Sequence, residues 1–311
     1  MVDSAQKLSD IQKLVVKTNS KGRKIKCYHD FVTCRKSYFK RPVLVILSNG
    51  YSYFEGFTTC DKFFYCADCH RSYLYEKNQK LVRVEQFIEK EILHPTMITL
   101  HVPHHFKDKL KPLRLKLHQA TVGLISTSGR NQNKLVKKIN QVTGNEGYIL
   151  RNDITLTNNG WNPHVHVEML NKVSYSEQEK NQLIDEYVRQ LELVGLHLSR
   201  FDLYYKSNLV HFRENSCDLG YLGKCNDDLM SLVVTNPDKY LELVDSCTND
   251  ARIPLCRFKN GLLSKVNKTL ELPAESPALN EFRRIEVPEY LLHQDLSLDE
   301  IKNLCLEGIN S

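Results

Sequence analysis

The chain has 311 residues, of which 41% are hydrophobic and 26% charged, with a formal net charge of +6. This length and composition are those of a globular protein rather than a disordered chain and support one large or two ordinary domains with a real core. No run of about 18 apolar residues occurs, which excludes an expected membrane-spanning helix, and the mild basicity permits a nucleic-acid partner without establishing one.

The N-terminus, MVDSAQKLSDIQKLVVKT, is charged throughout and lacks the apolar centre of a signal peptide. A cytoplasmic location is expected, where ten cysteines are thiols or metal ligands rather than disulfides. Residues 3–17 read as an amphipathic helix, with Leu8, Ile11, Leu14 and Val15 on one face. A basic linker follows, and residues 1–26 form a first segment. Residues 27–75 hold five cysteines and many aromatics, which suggests a small module organised by something other than a large core.

Residues 76–93 predict a helix and 97–102 (MITLHV) a strand, with Thr99 and His101 on its polar side. The stretch 104–140 is mostly helical by pattern. It carries Lys107, Lys109, Lys111, Arg114, Lys116, Arg130, Lys134, Lys137 and Lys138 against one acid, Asp108. Such a stretch can neutralise phosphates and release counterions, although a solvated helix face has the same composition. Residues 148–157 and 164–170 are strands around the turn signal Asn158, Asn159, Gly160, so a β-hairpin is expected. Ser176 and Glu179 fit a capping box that opens a helix over 176–195. Strand-like segments follow at 197–205 and 208–213, and a helix is expected near Ser216. The chain from 231 to 311 reads as helical and irregular, broken by prolines, and its end is acidic. Residues 76–230 thus form the central domain.

The most informative string is GWNPHVHVEML, residues 160–170. On a strand His164 and His166 face the same side, with backbones about 7 Å apart, and can converge on one ion. Imidazole suits Mn²⁺ or Zn²⁺, while Mg²⁺ prefers oxygen. Asp153 on the adjacent hairpin strand is the favoured third ligand, and Glu168 a weaker one. A bare His-x-His is a weak signal. Its context is stronger, because three predicted strands each turn polar groups to one side.

Taken together, GWNPHVHVEML, the upstream MITLHV and the downstream GYLGK resemble, in order and spacing, the motifs of rolling-circle replication initiators. These belong to the superfamily of nucleases with a histidine–hydrophobe–histidine (HUH) metal site. The resemblance covers residues 60–225. It implies an α+β fold with a central antiparallel β-sheet and helices on one face, preceded by a small zinc-binding module. It also implies a divalent metal (Mn²⁺ or Mg²⁺) on His164, His166 and Asp153, with Tyr221 as nucleophile and Lys224 assisting one helical turn away. The expected activity is single-strand DNA nicking and joining through a 5′-phosphotyrosyl link. Departures from the family pattern are Asn162 for an extra histidine, Asp153 for a glutamate, His101 for a threonine and Ala67 for a proline. Tyr204 and Tyr205 are the runners-up as nucleophile.

Cys60, Cys66 and Cys69 have C-x5-C-x2-C spacing, which suits structural Zn²⁺; Cys34, Cys27, His29 and His70 are open choices for the fourth ligand. The expected partner is plasmid DNA at a replication origin, single-stranded or supercoiled. The sequence has no Walker phosphate loop, so a helicase would come from the host. The competing readings are a transposase or relaxase of the same superfamily, a non-catalytic zinc-finger regulator, and a hydrolase that uses water.

Overall fold

The structure is a computed structural model. It describes residues 38–47, 52–58, 60, 66–127, 132–214, 229, 232, 235–248, 253–259, 261–271, 281–292 and 298–310. The expected helix at 3–17, the helix near Ser216, and Cys27, Cys34, Arg130, Tyr221 and Lys224 lie outside them. The chain divides into two compact units, one of residues 1–79, 225–249 and 275–311, the other of 80–224 and 250–274.

The described elements, in chain order, are β1 (Tyr38–Leu47), β2 (Ser52–Phe57), α1 (Ala67–Glu91), β3 (His94–His101), α2 (Leu110–Ile125) and α3 (Lys134–Val142). Next come β4 (Gly147–Thr157), β5 (Gly160–Asn171), α4 (Glu177–Leu193), α5 (Arg200–Tyr204), a 3₁₀ turn (Lys206–Asn208) and β6 (Val210–Glu214). The last are α6 (Pro237–Thr248), β7 (Cys256–Phe258), α7 (Leu262–Thr269), β8 (Glu281–Glu286), α8 (Glu289–Leu292) and α9 (Leu298–Asn310). The fold is α+β with antiparallel sheets.

In the first unit β1 is the middle strand of an antiparallel sheet ordered β2-β1-β8. Leu44, Phe54, Phe57, Val287, Leu291, Ile301 and Cys305 form its apolar core. Phe54 and Phe57 meet edge to face, with centroids 5.7 Å apart. On the outer side Glu55 pairs with Arg284 at 2.7 Å and with Lys40 at 3.6 Å.

The second unit is built on a five-stranded antiparallel sheet ordered β6-β3-β5-β4-β7. The β4–β5 hairpin turns at Asn158–Asn159, and its register sets Asp153 opposite His164 and Arg151 opposite His166. Strand β3 lies on the other side of β5, with His101 opposite His164 and Thr99 opposite His166. Alternation then divides the sheet. Ile98, Leu100, Val167 and Met169 point to the helical side, where they meet Leu124, Ile125, Val136 and Leu183 around a small apolar gap. Thr99, His101, Arg151, Asp153, His164 and His166 take the opposite face.

The helices follow local rules. Ser176 accepts from the Glu179 amide at 3.3 Å while the Glu179 carboxylate accepts from the Ser176 amide at 2.8 Å, the capping box that starts α4. Leu183, Tyr187, Val188 and Leu191 make its buried stripe. Tyr187 donates its hydroxyl to the His101 carbonyl at 2.9 Å, tying α4 to the end of β3. Helix α2 packs against both β5 and α4. Gly123 of α2 lies against the Gln190 side chain of α4, and a Cβ there would stand 2.1 Å from Oε1, so the amide would have to move. Asn133 caps α3 by accepting from the Val136 amide at 3.1 Å and donates to Glu186 at 2.6 Å.

Three expectations are corrected. Residues 197–205 are not a strand, since α5 occupies Arg200–Tyr204. Ser199 and Asp202 exchange bonds that cap this turn, with Ser199 N–H donating to Asp202 at 2.8 Å and Asp202 N–H to Ser199 Oγ at 3.1 Å. The region after 231 is not only helical, because β7 pairs with β4 and β8 with β1. Helix α1 begins at Ala67, well before the expected start at 76.

The loop after β3 packs on the β4–β5 turn. Gly160 has φ +96°, and a Cβ there would lie 2.7 Å from the Phe106 Cα and 3.0 Å from the His105 carbonyl. Replacing Gly160 by alanine is expected to cost about 1–3 kcal/mol, read as a lowered melting midpoint; an unchanged midpoint would show that the turn is not so tightly held.

Candidate metal centre

The register of β4, β5 and β3 assembles the site. Asp153, His164 and His166 are all buried, and their ligand atoms lie within 4.8 Å of one another. His164 Nε2 is 3.7 Å from Asp153 Oδ2. The other carboxylate oxygen, Oδ1, accepts from the Ile154 amide at 2.8 Å, which fixes the plane of the group. His164 Nδ1 lies 3.1 Å from the Asn162 carbonyl. A carbonyl only accepts, so Nδ1 carries the proton and Nε2 the lone pair. His166 Nδ1 is 3.0 Å from Thr99 Oγ1. Each imidazole is thus oriented by a partner on its far nitrogen, the arrangement that supports metal-ligating histidines. One carboxylate and two imidazoles suit a divalent cation of the Mn²⁺ or Zn²⁺ type better than Mg²⁺.

More histidines surround this core. His101 stacks on His164 with centroids 5.4 Å apart and 19° between planes, and it meets His211 of β6 edge to face at 5.4 Å. Burial first, then the neighbouring His164, push His101 down to about 4, with the nearby Asn162 side chain working the other way. His166 is pushed down to about 3, again by burial first and His164 second, with Asp153 opposing. Both rings are neutral at pH 7, so no proton competes for their lone pairs.

Asp153, His164 and His166 come together as the spacing implied. Glu168 is on the same face and fully buried, but it is not in the converging group. Asn162 has a use that the sequence did not reveal, a carbonyl for His164. His211 was also missed, although its alternation with Arg213 on a strand was the available signal.

The cysteine cluster belongs to the other unit. Cys60, Cys66 and Cys69 are buried, with sulfurs within 4.8 Å of one another. Cys60 Sγ is 3.6 Å from Cys69 Sγ, close to the spacing of about 3.8 Å across a tetrahedral zinc with 2.3 Å bonds. Cys66 and Cys69 flank the start of α1, where the helix dipole favours thiolates. Of the four choices for the last ligand, Cys27, Cys34, His29 and the side chain of His70 lie outside what the structure describes.

The basic stretch is only partly a surface. Lys107, Lys109, Lys111, Lys134, Lys137 and Lys138 are exposed. Lys116 is half-buried and donates to the Gly195 carbonyl at 2.9 Å. Arg114 is corrected, because at 4% exposure it sits within the buried stripe of Leu110, Leu113 and Leu117 and cannot meet a duplex. Tyr204, the last residue of α5, and Tyr205 after it are both exposed, with rings 4.7 Å apart.

Comparison with family models, curated proteins and solved structures finds no match to the chain. No helix among the described residues is long and apolar enough to cross a membrane.

The pH dependence of stability follows from the two depressed histidines. Their folded values lie below the 6.5 or so of an unfolded histidine, so between about pH 6.5 and 4 the unfolded chain binds more protons. Stability is therefore complete above pH 6.5 and lost as pH falls. His101→Gln is expected to remove up to about 2 kcal/mol of the loss between pH 6.5 and 5, measured by urea unfolding at each pH without metal; equal slopes in both proteins would refute it.

Proposed function

We propose that the chain is a metal-dependent DNA-nicking endonuclease of the HUH superfamily, acting as the initiator of rolling-circle plasmid replication. The observation that carries this reading is the buried convergence of Asp153, His164 and His166 from adjacent strands of one antiparallel sheet. The motif order supports it further. Strand β3 carries MITLH, the β4–β5 hairpin carries Asp153 and the histidine pair, and GYLGK follows β6 in the chain. Helices α2, α3 and α4 pack on the apolar face of the sheet, opposite the histidines.

In this reading Asp153, His164 and His166 hold a divalent cation, which supplies Lewis-acid polarisation of a scissile phosphate. The chain's own residues do the rest. Thr99 and Asn162 keep the two imidazoles oriented, and burial keeps His166 neutral. The Tyr221 hydroxyl, a poor nucleophile at its ordinary value near 10, loses its proton and bonds to phosphorus. The bond from phosphorus to the 3′-oxygen breaks, and that oxygen takes up a proton to become a 3′-hydroxyl. The reverse sequence rejoins the strand. Lys224 steadies the phosphate or the phenolate. Exposed lysines of the basic stretch bind origin DNA, the cysteine cluster stiffens its unit with zinc, and a host helicase unwinds the duplex.

Incubation with Mn²⁺ and a random single-stranded DNA pool tests this directly. A protein–DNA adduct that survives denaturation is expected for the native chain and absent from Tyr221→Phe. Persistence of the adduct in the variant would move the nucleophile to Tyr204 or Tyr205. Cleavage without an adduct would replace the tyrosine mechanism with attack by water.

A further inference from the structure

We infer that Phe106 is a base-stacking platform for single-stranded DNA, beside the histidine site. The inference rests on the reading of a DNA substrate and adds where an unpaired base is held. Phe106 lies in the loop that follows β3, five residues after His101. A large aromatic ring usually seeks the core, yet this one is 64% exposed. The loop holds it in place. His104 donates its Nδ1–H to the Val102 carbonyl at 3.1 Å. The His105 amide donates to the Asp108 carboxylate at 2.7 Å, and the Asp108 amide to the His105 carbonyl at 2.9 Å. The backbone of Phe106 rests on Gly160, where no side chain fits between them.

The loop's position connects the ring to the site. Gly160 begins β5, and four residues along the same strand is His164. That separation is about 13 Å of extended chain, a distance that a nucleic-acid strand reaching the site must cross. The surroundings suit a polyanion. Lys107 Nζ lies 5.4 Å from the centroid of the Phe106 ring, and Lys109 and Lys111 are exposed just beyond. Asp108, the one acid in this stretch of the chain, accepts from the His105 amide. An aromatic face among lysines is the recurrent solution for holding unpaired bases, because stacking needs no particular base and the ammonium groups follow the phosphates. A protein contact would explain the exposed ring but not the lysines around it.

The test is equilibrium binding of a fluorescent thymidine oligomer of about 16 nucleotides to the full chain in chelator, so that no cleavage occurs. Phe106→Ala is expected to bind about 5- to 100-fold more weakly, and an oligomer with abasic sites should bind both proteins equally. Phe106→Trp should retain affinity, and DNA should quench its emission. The native Trp161 is fully buried and gives only a constant background. Alanine binding as tightly as the native chain, or tryptophan emission unmoved at saturation, would overturn the platform while leaving the nicking reading intact. No binding of the native chain to the oligomer would also overturn it; the nicking reading is judged separately, by the tyrosine adduct.

Discussion

The pairing of β4 with β5 across a two-residue turn is the constraint on which the site depends. With Thr157 opposite Gly160, Asp153 must stand opposite His164 and Arg151 opposite His166. A slip of one residue would send Asp153 to the helix-covered face and bring Asn152 or Ile154 to the histidines. Several features pin this register. Gly160 supplies the positive φ of the turn, Trp161 is buried beside it, and Val165, Val167 and Met169 are held on the apolar side. The Tyr187 hydroxyl then fixes the end of β3 against α4, so that His101 stays in line with His164.

Bringing two imidazoles and a carboxylate out of water is unfavourable, and the fold offsets that cost locally. The carboxylate accepts from the Ile154 amide, and each ligand histidine has a partner at Nδ1. Desolvation of His166 and of its neighbour His101 keeps both neutral, which leaves the His166 lone pair free for an ion and weakens the protein in acid. A site built for stability alone would use apolar residues here, since replacing buried ionic groups by well-packed apolar ones often stabilises. Retaining polar groups at the centre of a sheet therefore points to use, in keeping with the tendency of perturbed titratable groups to gather at functional sites.

Much of this site was legible because period-two alternation is a local property. The spacing of His164 and His166, the Asn-Asn-Gly turn and the alternation of 148–157 determine which side chains share a face. The capping box at Ser176 was equally readable. What escaped depended on contacts distant in sequence. The pairing of β8 with β1 joins residues more than two hundred positions apart, and three-residue β7 carries too little pattern to be noticed. Arg114 reads as a surface cation in any count of charge, and only its place among Leu110, Leu113 and Leu117 reveals its burial. At 197–205 the apolar alternation suggested a strand, but the Ser199–Asp202 cap decided for a helix. His211 looked like an ordinary strand residue until β6 was placed beside β3.

The most direct measurement is an anomalous difference map from a crystal of the chain soaked in Mn²⁺. A peak roughly 2.0–2.3 Å from Asp153, His164 Nε2 and His166 would establish that these three residues hold the ion. Absence of density there at saturating Mn²⁺, or an ion bound only elsewhere, would contradict the assignment of the histidine face as a metal centre, and with it the proposed nuclease chemistry.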